Sequence, residues 1–279
     1  MSHDSTRPRL QLSLGGAALL GEERPSLGGR RVFAANCRES GSELLVTLHP
    51  LPPEGPTPLA VLGRASRLQA LAHPRLNTPI AAGDLDGRAW VVEPAPTSPS
   101  VLLRLSDGGA FGVKEGVRVL REVTRAVASL HRTGLAHGAL ELETVQLAGG
   151  EVKVGGLANR TTAEASEDIA ALGPLAWALF TGDLPDATHE RLAQRRRGIP
   201  AGLDALVASL LSPDPSLRPP RAESVLAALD SFPASDPAPF STFLDGAGRG
   251  ARTPRGREAV LLAVLFGLSV LISGLVFGR

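Results

Sequence analysis

His131 and His137, six residues apart across a loop containing Gly134, are the side chains in this chain best suited by type to proton transfer or metal ligation. His137 is followed by Glu141 and Glu143, and an imidazole beside a carboxylate is the common pairing for general acid–base work. The same histidine reads more simply as a core or turn-bracing residue. His131 and His137 could share a metal, but no third ligand follows at a suitable spacing. Asp84 and Asp86 form a second possible metal pair, although Asp84 to Gly87 reads first as a turn. Cys37 is the only thiol, which excludes a disulfide framework and a cysteine zinc cluster and suits a reducing compartment. Lys114 and Lys153 are the only lysines, so any chemistry that needs an amine has two candidates. No cofactor is expected from these residues.

The elements that must position them are short and punctuated. The chain has 279 residues, 43% of them hydrophobic, with 31 glycines and 23 prolines, which allows one sizeable core and many loops. Its 29 basic and 28 acidic side chains nearly cancel, so a general nucleic-acid coat is excluded. Strands are expected at 43–48 and 89–93, the second after the turn Asp86-Gly87. Pro58 with Leu59, Leu62, Leu68 and Leu71 predicts a helix. Val117, Leu120, Val123, Val127 and Leu130 predict another, ending near His131. Ala148-Gly149-Gly150 between TVQL and EVKV predicts a hairpin. Helical patterns follow at 169–180, 203–211 and 222–229. Trp90 and Trp177 are expected in the core, and Arg195 to Arg197, behind a helical stretch at 186–194, at a solvated helix end.

Residues 259–277 are uncharged, with only Ser269 and Ser273 polar. As a helix they would span roughly 28 Å, close to a bilayer's hydrocarbon thickness. Arg249, Arg252, Arg255 and Arg257 precede this run and Arg279 alone follows it, so the positive-inside bias expects everything before it in the cytoplasm. The domain plan is an N-terminal extension over 1–27, a globular part over 28–232, a Pro/Gly/Arg-rich juxtamembrane linker over 233–258 and the transmembrane helix. The expected location is the inner membrane, crossed once.

The order of the central segments resembles the protein kinase superfamily, in particular bacterial Ser/Thr kinases with a cytoplasmic catalytic domain before one membrane helix. HRTGLAHGALELETVQL (131–147) is similar to the catalytic-loop segment. EDIAALGPLAWALFTGDLP (167–185) is similar to the helix behind it, with Asp168 as the matched aspartate, and LDALVASLLSPDPSLRPPRAESVLAAL (203–229) to the closing helices. The resemblance implies an α+β, two-lobed fold with a small β-rich N-lobe at about 28–94 and a helical C-lobe at about 95–232.

It also implies where phosphoryl transfer should be carried out, and those positions have lost their chemistry. Transfer from ATP needs a cation on the phosphates, an acid holding that cation, two magnesium ligands and a base for the acceptor. The matched residues are Thr47 for the strand lysine, Arg64 for its acidic partner, Ala139 for the base, and Thr144 and Val154 for the metal ligands. Gly138 stands where the loop arginine is expected, and only Leu27-Gly28-Gly29 remains of a glycine-rich loop. The segment before Asp168 is cut to LANRTTAEASE, leaving Thr161 and Thr162 as candidate acceptors for another kinase, or as loop and helix-cap threonines. The expectation is a catalytically inactive, membrane-anchored scaffold. It would bind a protein partner at the membrane, such as an active kinase or a phosphothreonine reader, besides the bilayer and no nucleic acid. The alternative is a divergent ATP-dependent phosphotransferase using other residues.

Overall fold

Two periodicities divide the chain. The strands with period-two burial come first and gather into one antiparallel sheet; the segments with helical periodicity follow and bury their apolar stripes against one another. The computed structural model describes residues 18–24, 29–37, 40–158, 160, 162–186 and 190–233. The sheet comprises β1 (Ala18–Arg24), β2 (Arg31–Cys37), β3 (Glu43–Leu48), β4 (Ala81–Leu85) and β5 (Arg88–Pro94), in the order β1-β2-β3-β5-β4.

Alternation gives this sheet two apolar faces. Phe33, Ala35, Leu44, Val46, Leu48 and Val92 cluster on one, while Ala89 and Val91 face α1 (Pro58–Leu71) on the other, against Val61. Helix α1 begins where expected: Pro58 sits at its first position and the Thr57 hydroxyl accepts from the Ala60 amide at 3.3 Å.

The helical part holds α2 (Val101–Gly108), α3 (Val113–Arg132), α4 (Ala165–Thr181), α5 (Leu192–Arg195), α6 (Ala201–Leu210) and α7 (Ala222–Leu229), with the hairpin β6 (Val145–Ala148) and β7 (Glu151–Val154) on the side nearest the sheet. Helix α3 is the axis; Val117, Leu120, Val123, Val127 and Leu130 are fully buried and α4 and α7 pack on it. Gly173 lets α4 approach α6 closely, because a Cβ there would lie 2.9 Å from the Leu210 backbone.

Several expectations change. The segment placed outside the domain as an N-terminal extension contains β1, which pairs antiparallel with β2 from Ala18↔Cys37 to Arg24↔Val32. Its apolar residues are interrupted by polar ones, which hid a strand from a reading based on continuous runs. Strand β4 was read only as a turn, and helix α2 was not expected. The helical stretch at 186–194 reduces to the single turn α5 among the described residues. Of the arginine run, Arg196 is not a solvated end: its Nη1 donates to the carbonyls of Phe111 and Phe180 at 2.6 and 2.7 Å. Most of the linker at 233–258 and all of 259–277 lie outside the described residues. Among the described residues no helix is long and apolar enough to cross a membrane.

Candidate functional site

The charged side chains at the seam between sheet and helices are bound to backbone. Arg64 lies on the buried face of α1 beside Val61, Ala65 and Leu68. Its Nη2 donates to the Ala136 carbonyl at 2.7 Å and to that of His137 at 3.4 Å, and its Nε donates to the Leu157 carbonyl at 3.4 Å. Burial lowers its pKa, opposed by the charges of Asp168 and Glu93. The arginine at the acid's position therefore ties the first lobe to the second through carbonyls that would otherwise lack donors.

Glu93 is the complementary tie. It closes β5 on the same face as Ala89 and Val91, is only 5% exposed, and its Oε1 accepts from the Ala158 amide at 3.1 Å. Burial pushes its carboxyl up to about 7, held from going further by the amides of Ala158 and Leu157 and by Arg64 and Arg30. Sequence reasoning did not single out Glu93. The available signal was its parity: two residues after Val91 in an alternating strand, a carboxylate must face inward.

His137 is fully buried, and its hydrogen bonds set its tautomer. The Ala139 amide donates to Nδ1 at 3.2 Å, so the proton sits on Nε2, which donates to the Gly155 carbonyl at 2.9 Å. Burial lowers its pKa against the pull of Asp168, so the ring is neutral with both nitrogens engaged. It braces a turn and has no lone pair to act as a base.

Asp168 holds that turn from α4. Its Oδ2 accepts from the His137 amide at 2.7 Å and meets His131 Nε2 at 2.8 Å, while its Oδ1 accepts from the Gly138 amide at 2.7 Å. Burial works to raise its pKa, but His131 and the two amides outweigh this and hold the carboxyl below its ordinary value. The paired histidines thus meet through Asp168, and among the described residues no group of three metal-ligating side chains forms. Asp84 accepts from the Gly87 amide at 3.3 Å in the β4–β5 turn, the structural role first read for it.

A cavity of 190 Å³ opens between the lobes. Its roof is Val32, Leu45 and Thr47, with Pro94 and Pro96 at one end and Gln146, Thr144, Gly155 and Gly156 below. Thr47, at the lysine's position, is 3% exposed and brings a hydroxyl where phosphate binding needs a cation. The Thr144 hydroxyl donates to the Glu141 carbonyl at 2.9 Å and accepts from the Glu141 amide at 3.0 Å, which closes a local turn.

One position shifts. Val154 is fully buried and pairs with Val145, so its side chain belongs to the core, and the residues that reach the cavity after β7 are Gly155 and Gly156. Neither glycine supplies a carboxylate. The structure thus brings Thr47, Thr144 and the β7 end to one cavity. It sends Arg64 to the backbone behind that cavity and uses Ala139 through its amide. Thr162 is exposed, and Thr161 lies outside the described residues.

No protein-family model and no curated protein matches this chain. Among solved structures it is similar to that of Rad53 1–466 in complex with AMP-PNP, at 20% identity and a TM-score of 0.60, covering 77% of this chain. The chain spans 64% of that chain's length. With its small antiparallel sheet over a helical lobe, this chain has a protein-kinase-like fold.

Proposed function

We propose that the chain is a catalytically inactive kinase-like domain, held at the cytoplasmic face of a membrane by residues 259–277, that acts by binding other proteins. The observation that carries this reading is the use of the buried ionic groups. Arg64, Glu93 and Asp168 are all engaged by backbone or by His131, while the cavity positions that would hold phosphates and magnesium are Thr47, Thr144, Gly155 and Gly156. Magnesium requires oxygen ligands of high charge density, and no carboxylate stands at these positions. A cleft that cannot seat the metal cannot order the phosphates for in-line transfer.

The test uses the full chain in detergent micelles. Calorimetric and thermal-shift titrations with ATP, with and without magnesium, are expected to give no magnesium-dependent binding, and radiolabelled ATP no phosphate transfer. A micromolar, magnesium-dependent affinity with turnover would overturn the reading and favour a divergent phosphotransferase. The membrane part is checked separately: the protein should stay with membranes after alkaline carbonate washing, and its release would remove the anchor from the proposal.

A further inference from the structure

Beside the interlobe cavity lies a second one of 170 Å³, walled by Leu102 and Leu105 of α2, by Leu142 and by Leu184 after α4. Glu141 and Glu143 line both cavities, so the two meet along this short loop. Leu142 points between them into the core, and the carboxylates flank it on alternate positions.

These two carboxylates differ from the others at the seam. Arg64, Glu93 and Asp168 have backbone partners, whereas neither Glu141 nor Glu143 forms a side-chain hydrogen bond or ion pair among the described residues. Burial raises the pKa of both, and the charge of Glu143 raises that of Glu141 further; Arg30 offsets only the latter. The fold therefore carries two repelling, partly desolvated carboxylates beside an open leucine-walled pocket. Groups that cost stability without serving the core are the mark of a surface kept for a ligand. Next to them, Thr47 is 97% buried with its hydroxyl on the first cavity and no side-chain partner, and Gln146 bonds only Asn77 through its Oε1, at 3.0 Å.

We propose that this double cavity binds an extended segment of a partner protein, an arginine of the segment lying between Glu141 and Glu143 and a neighbouring leucine-sized side chain filling the pocket of Leu102, Leu105, Leu142 and Leu184. Charge complementarity selects the cation. Guanidinium is the fitting one, since its planar fork meets carboxylates bidentately and tolerates desolvation better than an ammonium. An extended peptide is selected because the two cavities lie side by side and ask for different side chains, one cationic and one apolar, which an arginine and a neighbouring leucine supply. The inference rests on the reading of the domain as a protein-binding module and names the partner's chemistry.

The experiment is fluorescence polarisation with the full chain in micelles and a labelled peptide, Ala-Arg-Leu-Ala-Arg-Leu-Gly. Binding is expected on the order of 10–100 µM, weakened by salt because the pair is electrostatic. Replacing the peptide's arginines by glutamate, or its leucines by serine, should each weaken binding at least tenfold. The double variant Glu141→Gln, Glu143→Gln should weaken it by a similar factor while its melting temperature stays level or rises, an outcome that misfolding does not produce. Leu184→Asp, at the pocket wall, should spare the arginine contact and remove the preference for leucine.

Equal binding by the double variant, equal binding by the glutamate peptide, or none below about 1 mM would each overturn the proposal. So would equal affinity for argininamide, which would make the site one for a small organic cation. Peptide binding without nucleotide binding supports both this proposal and the inactive reading. Phosphate transfer to a serine-bearing version of the peptide would overturn the inactive reading and leave the binding site standing.

Discussion

The Nη2 of Arg64 donates to the carbonyl of Ala136 across 72 residues of sequence, at 2.7 Å and in a buried setting. This contact joins α1 of the sheet lobe to the loop before His137 in the helical lobe. Glu93 makes the converse contact, carboxylate to amide, at Ala158. Where an active kinase-like cleft would place opposite charges around a nucleotide, this one applies an arginine and a glutamate to the backbone, and the lobes are tied by the groups that would otherwise bind ligand.

Arg64→Leu should therefore destabilise the domain by about 2–4 kcal/mol, because the carbonyls of Ala136, His137 and Leu157 lose buried donors. Arg64→Glu, which restores the acid the fold resembles, should be worse, since a carboxylate would face three carbonyls and Asp168. Urea denaturation followed by tryptophan fluorescence measures both; a change under about 0.5 kcal/mol would show that the tie is not stabilising.

Asp168→Asn tests the clamp on the His137 turn. The wild-type carboxyl has a depressed pKa, so its contribution is present above the ordinary aspartate value and is lost as pH falls through the folded-state pKa. At pH 7 the variant should be less stable by about 3 kcal/mol. The gap between the two proteins should close as pH falls below about 4. Stability curves at several pH values, parallel for both proteins, would remove the carboxylate from the account.

Glu93 has the opposite sign. Its folded-state pKa is raised to about 7, so the folded state holds the proton more tightly, and the stability this group contributes is present at low pH and lost as pH rises toward 7. Glu93→Gln should flatten that part of the profile and make the protein at pH 8 more stable, by at most on the order of 3 kcal/mol less the value of the amide bond at Ala158. An unchanged slope between about pH 4.5 and 7 would contradict the raised pKa.

Gly138→Arg would restore the loop arginine that the resemblance expects, and it should destabilise. Gly138 has φ +75°, and a Cβ there would lie 2.4 Å from that of Ala163. The cost is about 1–2 kcal/mol from the left-handed backbone, plus whatever the 163 segment must yield. A melting temperature within about 1 °C of wild type would show that the segment moves freely.

Much of the fold could be read along the chain because its cues are local. The strands at 43–48 and 89–93, the helix from Pro58, the hairpin around Gly149-Gly150 and the three later helices each carry a periodicity or a turn that neighbours within a few residues complete. Strand β1 escaped because its evidence lies in its partner β2, and β4 because Asp84 and Gly87 mark the turn more strongly than Ala81 and Ala82 mark a strand.

The loss of charge at Thr47, Ala139 and Thr144 was legible by position alone, since a residue type absent from a position cannot be supplied by folding. Tertiary structure decided the rest. Val154 was matched by spacing to a metal ligand, but the pairing of β7 with β6 turns it into the core and leaves Gly155 and Gly156 at the cavity. Arg64, Glu93 and Asp168 are ordinary charged residues in the sequence; only burial, which makes an unpartnered charge costly, obliges each to find partners 30 to 93 residues away in the chain. Which carboxylates were left without such partners, Glu141 and Glu143, is likewise a fact of three dimensions. It depends on which backbone groups the fold brought within reach, and no spacing along the chain encodes that.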